Sequence, residues 1–409
     1  MANKIGIFVE TFPIVSETFI VNKVIYLLCQ GYNVQIFTLR ESSQWRFFPE
    51  LLNKKYDIKN RIKIGVEVRS SDSLFLIGLK KLFLNLLDNP KNTFKFIFFN
   101  LFQSDNSFLS IIDRIFMRIN FCNVEIDVLS IEFDTIGYKV VDLKKLLNCK
   151  ILVNTMGVAQ ATNSYQRNPS ILSYLNKYAD FFRFASVFLQ KNSIKLGFDK
   201  NIRNTVIYSG VNPIFNLNTL DRHKHTSKKL KIISVARLAW SKGYEFALEA
   251  VSLMIKSGIK VQYTIIGDGP YKHAIDYAIK QMGLIRGVDV ILKGSKSLVH
   301  IKEELLKSDV FLQSSVIEGF GISVLEAQSV GLPAVVTDTG GLKENIVNYK
   351  TGLFTRNRDS KDIASKLICL SKDSKKLKIM GENGNARVKN NFTLKEEMRH
   401  LMKVYESLT

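Results

Sequence analysis

The chain has 409 residues, with 58 Lys and Arg against 37 Asp and Glu, and a formal charge of +21. At roughly 150 residues per domain, this length predicts two or three domains. Apolar residues at 46% and charged residues at 23% exclude general disorder.

No apolar run reaches the ~18–20 residues that span a bilayer, and the opening MANKIGIFVETFP turns acidic too early to read as a secretory signal. Cys29, Cys122, Cys149 and Cys369 lie far apart and form neither a C-x-x-C nor a disulfide-like framework, so a reducing cytoplasm is expected. The positive excess fits nucleic acid, an anionic membrane face or a phosphate-bearing substrate. Residues 1–230 hold 31 basic and 18 acidic side chains, and the remainder 27 and 19, so the first part carries +13 and the second +8.

In chain order, Lys4–Val9 is predicted as a buried strand. Thr11–Ser16 is a loop, with Ser16 placed to cap a helix from Glu17 to Gln30 that Gly31 ends, and Asn33–Thr38 is the next strand. Strand, helix, strand points to a parallel sheet. Leu74–Phe121 holds 10 of the 28 Phe together with Lys80, Lys81, Lys91, Lys95, Arg114 and Arg118. Its helical segments fit two readings: basic amphipathic helices lying in a membrane interface, or helices packed on the first domain with a solvated lysine rim. Further strands are predicted at Ile126–Ile131, Lys150–Asn154 and Thr205–Tyr208, before a polar linker between Val211 and Leu230.

The alternation that follows is more regular. Strands are predicted at Lys231–Ala236, Val261–Ile266, Val288–Lys293, Val310–Gln313 and Ala334–Thr337. Helices are predicted at Tyr244–Lys256, Tyr271–Met282, His300–Lys307, Ile322–Val330 and Lys343–Asn348, and the tail from Ser360 is helical. This is a doubly wound α/β domain, whose ligands bind beyond the carboxyl ends of the strands.

Several chemistries are missing. There is no G-x-G-x-x-G after the first strand, no P-loop, no G-x-S-x-G elbow, no H-E-x-x-H and no Asp-x-Asp pair for a metal on a nucleotide diphosphate. All five His follow residue 222, which removes a His acid or base from the first domain. What remains is one constellation. Arg237 and Lys242 stand five residues apart after a strand, either as surface cations or as a clamp for a diphosphate at a helix N-terminus. Gly267-Asp-Gly-Pro270 is a tight turn after the next strand. Glu318-Gly-Phe-Gly-Ile-Ser-Val-Leu-Glu326 places one acid before a glycine loop and a second within the helix it opens. That pattern reads either as a helix with solvated acids or as carboxylates accepting hydrogen bonds from sugar hydroxyls.

Taken together, SVARLAWSKGYEFALEA, IIGDGP, ILKGS and DVFLQSSVIEGFGISVLEAQSVGLPAVVTDTGGLKENIVNYKTGLF resemble the retaining glycosyltransferases of family 4, and FPIVSETFI resembles the opening of many bacterial members. VIYSGVNPIFN resembles the family's strand and turn before the linker, with Asn212 where Asp is more usual. The resemblance implies the GT-B fold, α/β with two Rossmann-like doubly wound domains facing across a cleft. It divides the chain into an acceptor-side domain at 1–211, a linker at 212–230, a nucleotide-sugar domain at 231–391 and a C-terminal helix at 392–409 that crosses back.

By position, the resemblance implies that Arg237 and Lys242 hold and neutralise the donor diphosphate, replacing a metal ion, so that neither metal nor cofactor is expected. Glu318 would contact the donor sugar and Glu326 the ribose. Gly319, Phe320, Gly321, Ile322 and Ser323 would support sugar and phosphate, Gly294 would lie near the base, and Ser16 and Glu17 would approach the phosphates. Retention by front-face attack, with the leaving phosphate as base, is implied. Many members carry His-Gly after a first-domain strand; Met156-Gly157 stands there here, on the possible sugar side, and hints at an altered donor.

The expected activity is metal-independent transfer of a hexosyl or N-acetylhexosaminyl group from a nucleotide-diphosphate sugar to a glycan acceptor. Lipid-linked oligosaccharide at the inner face of the plasma membrane is the foremost acceptor, as in capsule, O-antigen or exopolysaccharide synthesis. The alternative, motivated by Met156, is a non-catalytic nucleotide-sugar-binding subunit of another transferase. A nucleic-acid-binding protein is suggested by charge alone, and no recognisable module supports it.

Overall fold

A computed structural model of the chain describes residues 4–67, 72–102, 108–157, 170–216 and 229–409. It divides into two compact units. The first comprises Met1–Phe184, Ser193–Thr205 and Leu401–Thr409, and the second Ala185–Asn192 and Val206–His400.

The first unit is built on a seven-stranded sheet of order β3-β2-β1-β4-β5-β6-β7. The strands are β1 (Lys4–Phe12), β2 (Asn33–Glu41), β3 (Ile62–Ile64), β4 (Val128–Ile131), β5 (Lys150–Thr155), β6 (Phe181–Phe184) and β7 (Arg203–Val206). Each pairing from β3 through to β6 is parallel. Ile5, Ile7, Val9, Val128, Leu129, Ile151 and Val153 are fully buried, as strands covered on both faces must be. The expected helix after β1 is α1 (Thr18–Cys29), but Ser16 does not cap it. Ser16 lies inside a preceding 3-10 turn, Val15–Glu17, where the Val15 amide donates to Gln44 Oε1 at 2.8 Å and the Glu17 amide to the Ile14 carbonyl at 2.9 Å.

Between β3 and β4 come α2 (Asp72–Asp88), α3 (Pro90–Leu101) and α4 (Phe108–Arg118). Their inner sides meet in a small core of Val66, Phe96, Ile115, Phe116, Ile119 and Cys122. Arg118 is buried there in a double hydrogen bond with Asp142, at 3.0 and 2.9 Å. A second buried ion pair joins Lys23 of α1 to Glu132 after β4 at 2.6 Å, and Ser130 Oγ donates to the other Glu132 oxygen at 2.9 Å.

Two further strands escaped the sequence pattern for physical reasons. β3 is only three residues long. In β6 the aromatic run is interrupted by Arg183, which is completely buried and donates to Met156 Sδ at 3.3 Å. Helices α5 (Ser170–Tyr178) and α6 (Val187–Lys195) flank β6.

The second unit carries a six-stranded, wholly parallel sheet of order β10-β9-β8-β11-β12-β13. Its strands are β8 (Leu230–Val235), β9 (Val261–Ile266), β10 (Val290–Leu292), β11 (Val310–Gln313), β12 (Ala334–Thr337) and β13 (Gly352–Thr355). Helices α7 (Tyr244–Lys256), α8 (Lys272–Gln281), α9 (Leu298–Leu306), α10 (Ile322–Ser329), α11 (Ser360–Ser371) and α12 (Ser374–Asn391) fill the crossovers and the tail. The helix expected at Lys343–Asn348 is instead a 3-10 turn over Gly340–Glu344. Gly340 has φ +53°, and the Asn345 side chain is drawn off to the carbonyls of Phe320 and Gly321, so an α-helix does not propagate.

Residues 217–228, most of the expected linker, lie outside the described residues. Ala185–Asn192 belongs to the second unit because its backbone is tied there. Ser186 Oγ donates to the Gly319 carbonyl at 2.6 Å, and the Val187 and Phe188 amides each donate to the Glu344 carboxylate at 2.9 Å. The last helix, α13 (Leu394–Leu408), starts in the second unit and ends in the first.

Candidate functional site

In the second sheet the chain runs outward from β8 through β9 to β10, and on the other side from β11 through β12 to β13. The carboxyl ends of β8 and β11 are thus neighbours at the point where the winding reverses, the place where open α/β sheets form a ligand crevice. Arg237 and Lys242 lie on the connection leaving β8, and Glu318 to Gly321 on the connection leaving β11, with Ile322 and Ser323 opening α10. The topology therefore brings together the two motifs that the sequence keeps 76 residues apart.

The β8–α7 connection is fixed by backbone contacts. Trp240–Lys242 forms a 3-10 turn, and Gly243 follows with φ +61°. A Cβ at Gly243 would stand 2.2 Å from the Ser314 carbonyl oxygen, so only glycine fits. The Val316 amide donates to the Ser241 carbonyl at 2.8 Å, and Ser314 Oγ to the Lys242 carbonyl at 3.1 Å. Lys242 is consequently held against the β11 exit, where its ammonium donates to Glu318 Oε2. Gln313 Nε2 at 3.4 Å and Ser315 Oγ at 3.3 Å approach the same oxygen. Arg237 is exposed and makes no ion pair among the described residues. Of the two expected phosphate cations, one is already compensated by a carboxylate and the other is not.

The glycine loop is likewise over-determined. Gly321 has φ +85° and begins α10 with no side-chain cap, which leaves the amides of Ile322 and Ser323 at the open, positive end of the helix. The carbonyls behind it are occupied: Asn345 Nδ2 donates to Phe320 O and, at 2.8 Å, to Gly321 O. The Gly341 amide donates to Glu318 O at 2.9 Å, and a Cβ at Gly341 would lie 2.0 Å from Gly319 O. Phe320 is buried, stacked on Tyr208 with ring centroids 5.4 Å apart. Burial, and secondarily Glu344, pushes the Tyr208 hydroxyl up to about 12.

Glu326 lies within α10, where six consecutive residues from Val324 to Ser329 are buried. Its carboxyl has no hydrogen-bonding or ionic partner among the described residues, and burial pushes it up to about 7. A buried carboxyl without a partner is costly unless something donates to it. Gly294 has φ +65° and its carbonyl accepts from the Gly267 amide at 3.0 Å, at the exits of β10 and β9. Gly267 and Gly269 are explained by chain packing, since a Cβ at either would meet the carbonyl oxygen of Ala236 or Leu238 at 1.9 and 2.4 Å.

The first-unit candidates sit on loops of their own sheet. Ser16 is exposed and Glu17 half-buried after β1, while Met156 and Gly157 follow β5. Met156 is oriented by the buried Arg183. Among the described residues no group of three or more His, Cys, Asp or Glu could hold a metal ion. Residues that sequence reasoning missed are Gln313, Ser315, Asn345, Glu344 and Ser186. The first two were visible as polar side chains at a strand exit; Ser186, 133 residues from its partner, had no signal.

The family described as glycosyl transferases group 1 matches residues 218–387. Over 99% of the chain and all of the relative, it is 24% identical to the putative colanic acid biosynthesis glycosyltransferase WcaL of Escherichia coli K12. It is 26% identical, with the same coverage, to the amylovoran biosynthesis glycosyltransferase AmsK of Erwinia amylovora. The crystal structure of Anabaena HepE in complex with UDP-glucose is similar with a TM-score of 0.75 over 99% of both chains, at 14% identity. Together with the two parallel sheets, this likeness shows the GT-B fold with its two Rossmann-like domains.

Proposed function

We propose that this chain, whose residues 218–387 match the glycosyl transferases group 1 family, is a retaining, metal-independent enzyme of bacterial surface-polysaccharide synthesis. It transfers a sugar from a nucleotide-diphosphate donor to a lipid-linked glycan. The observation that carries the reading is the buried Glu326 carboxyl on α10, the helix whose uncapped start follows the loop that bears the Lys242–Glu318 pair. A nucleotide sugar supplies the complement of each: ribose hydroxyls donate to Glu326, the diphosphate meets Arg237, Lys242 and the amides of Ile322 and Ser323, and sugar hydroxyls donate to Glu318. Relatives named for colanic acid and amylovoran biosynthesis support the polysaccharide setting.

In this reading the bond between the anomeric carbon and the diphosphate oxygen breaks while the acceptor oxygen bonds to the same face. The acceptor proton passes to the departing phosphate oxygen, and nucleoside diphosphate leaves. Arg237 and Lys242 stabilise the charge that grows on the leaving group, a contribution that strengthens in a water-poor crevice.

The test is a panel of UDP-, GDP- and ADP-sugars with excess EDTA. Transfer or slow donor hydrolysis is expected from one of them, and inhibition by EDTA would overturn metal independence. Tight nucleotide binding with no turnover from any donor, even with lipid-linked acceptors, would return the chain to a binding subunit.

A further inference from the structure

The helices α2 and α3 turn two different faces to their surroundings. Inward, Gly78 lies so close to Phe116 that a Cβ would come within 2.2 Å of its ring, and Phe96 and Thr93 are fully buried. Thr93 Oγ1 donates to the carbonyls of Asn85 and Asn89 at 2.9 and 2.8 Å, which fixes the two helices to each other. Outward, Leu76, Phe83 and Leu87 of α2 and Phe94, Phe98 and Phe102 at α3 and its end are each at least 61% exposed. Their spacings of seven and four put them on one side of each helix. The phenylalanine-rich segment thus divides: Phe96, Phe116 and Phe121 are core, and the outward residues stand exposed, Phe98 and Phe102 against each other with ring centroids 4.3 Å apart.

The cations divide in the same way. Lys81 turns inward and donates to the Ile64 carbonyl at 2.6 Å, whereas Lys80, Lys91 and Lys95 are exposed beside the outward apolar residues. Asp88 keeps its negative charge while accepting from Asn123 at 3.2 Å, and the three exposed lysines outnumber it on this face.

We propose that this outward face of α2 and α3 docks on an anionic lipid membrane. The phenyl and leucyl groups enter the interfacial layer, and Lys80, Lys91 and Lys95 pair with lipid phosphates. Neither helix is long and apolar enough to cross a bilayer, so both lie along its surface. A second copy of the chain is the poorer complement, since a two-fold interface would press one net-basic face against an identical basic face. The docking goes beyond the transfer reaction and is measured without donor or acceptor.

The experiment sediments the full chain with phosphatidylcholine vesicles, with and without phosphatidylglycerol. Binding to the anionic vesicles that weakens with salt is expected. Lys80→Gln/Lys91→Gln/Lys95→Gln should weaken it roughly a hundredfold, at about fivefold per cation near an anionic surface. Phe83→Ser/Phe94→Ser/Phe98→Ser should abolish it even at low salt, and Tyr277→Ser, an exposed aromatic of the second unit, should leave it unchanged. Because all these side chains are exposed, thermal unfolding of each variant should match the parent, which separates lost docking from lost folding. Equal binding to neutral vesicles, unchanged partition in both triple variants, or a lipid-free dimer dissolved by the phenylalanine changes would overturn the proposal.

Discussion

The Lys242 ammonium and the Glu318 carboxylate neutralise each other across the carboxyl ends of β8 and β11. In the proposed reading, the cation meant for a diphosphate and the acid meant for sugar hydroxyls are therefore each other's partner until a donor arrives. Donor binding in the proposed reading redistributes this pair, and the pair positions both groups beforehand at little cost in order.

Lys242→Ala should slow transfer about 100- to 1000-fold, the range for removing one electrostatic stabiliser of a developing negative charge. In the proposed reading Glu318→Ala removes a sugar contact, and it leaves Lys242 without its carboxylate, so donor affinity and rate should both fall. A double-mutant cycle on the unfolding free energy of the unliganded chain should show non-additivity of roughly 0.5–3 kcal/mol, as for residues in direct contact. Strict additivity would mean that the pair does not form in solution.

Glu326 gives a pH-dependent prediction. Burial raises its carboxyl to about 7, above the ordinary carboxylate value near 4.5. The folded state therefore binds this proton more tightly than the unfolded state. The associated stability is complete below about pH 4.5 and is lost as pH rises through about 7, a change on the order of 3 kcal/mol. Glu326→Gln should remove that component, flattening the pH dependence of chemical denaturation between these limits. In the proposed reading donor binding runs the opposite way, because ribose hydroxyls donate best to the ionised form. Nucleotide affinity should increase from pH 6 to 8, with proton release detectable by calorimetry in buffers of different ionisation heat. If the affinity profile of the Glu326→Gln variant were indistinguishable from that of the parent, the ribose contact would be refuted.

Much of this was readable in the sequence of the second unit, where the apolar strands β8, β9, β11 and β12 begin or end within a residue or so of expectation. Parallel strands covered on both faces leave a continuous apolar run, which is the clearest signal a sequence carries. β13 was not seen, since Gly352 leads a four-residue strand and is required by the Ala334 carbonyl, 2.2 Å from its would-be Cβ. In the first unit the buried Arg183 disguised β6 as a polar-interrupted segment. The candidate motifs that hold Arg237, Lys242, Glu318 and Glu326 are legible because each is local. Their supports were not, because Ser186 and Asn345 act on carbonyls 133 and about 25 residues away through side chains with many ordinary uses.

Asn345 exemplifies that hidden support. It donates to two carbonyls behind the glycine loop, so Asn345→Ala leaves Phe320 O and Gly321 O without that donor. A loss of about 1–3 kcal/mol in unfolding free energy is expected for buried acceptors left unsatisfied. Nucleotide affinity should fall as well, although Asn345 is not expected to touch the donor. Asn345→Asp, which sets a carboxylate against both carbonyl oxygens, should cost more stability than Asn345→Ala.

Gly341→Ala tests the loop from the other side, by crowding instead of by deletion. The added methyl would lie 2.0 Å from Gly319 O and 3.0 Å from the Phe320 Cα, both backbone atoms that no rotamer change can clear. The Glu318–Gly321 segment must therefore shift, carrying the Glu318 carboxylate off Lys242 and tilting the open end of α10. Overpacking of this kind costs roughly 1–3 kcal/mol, a moderate fall in stability that leaves the fold intact. Transfer should fall by more than donor binding, because in the proposed reading the sugar depends on Glu318 while the ribose meets Glu326 a full turn into the helix. Steady-state kinetics with nucleotide affinity measured alongside would separate the two. Equal losses in rate and affinity would mean that the loop acts as a rigid donor cradle and that Glu318 has no separate part in the chemistry.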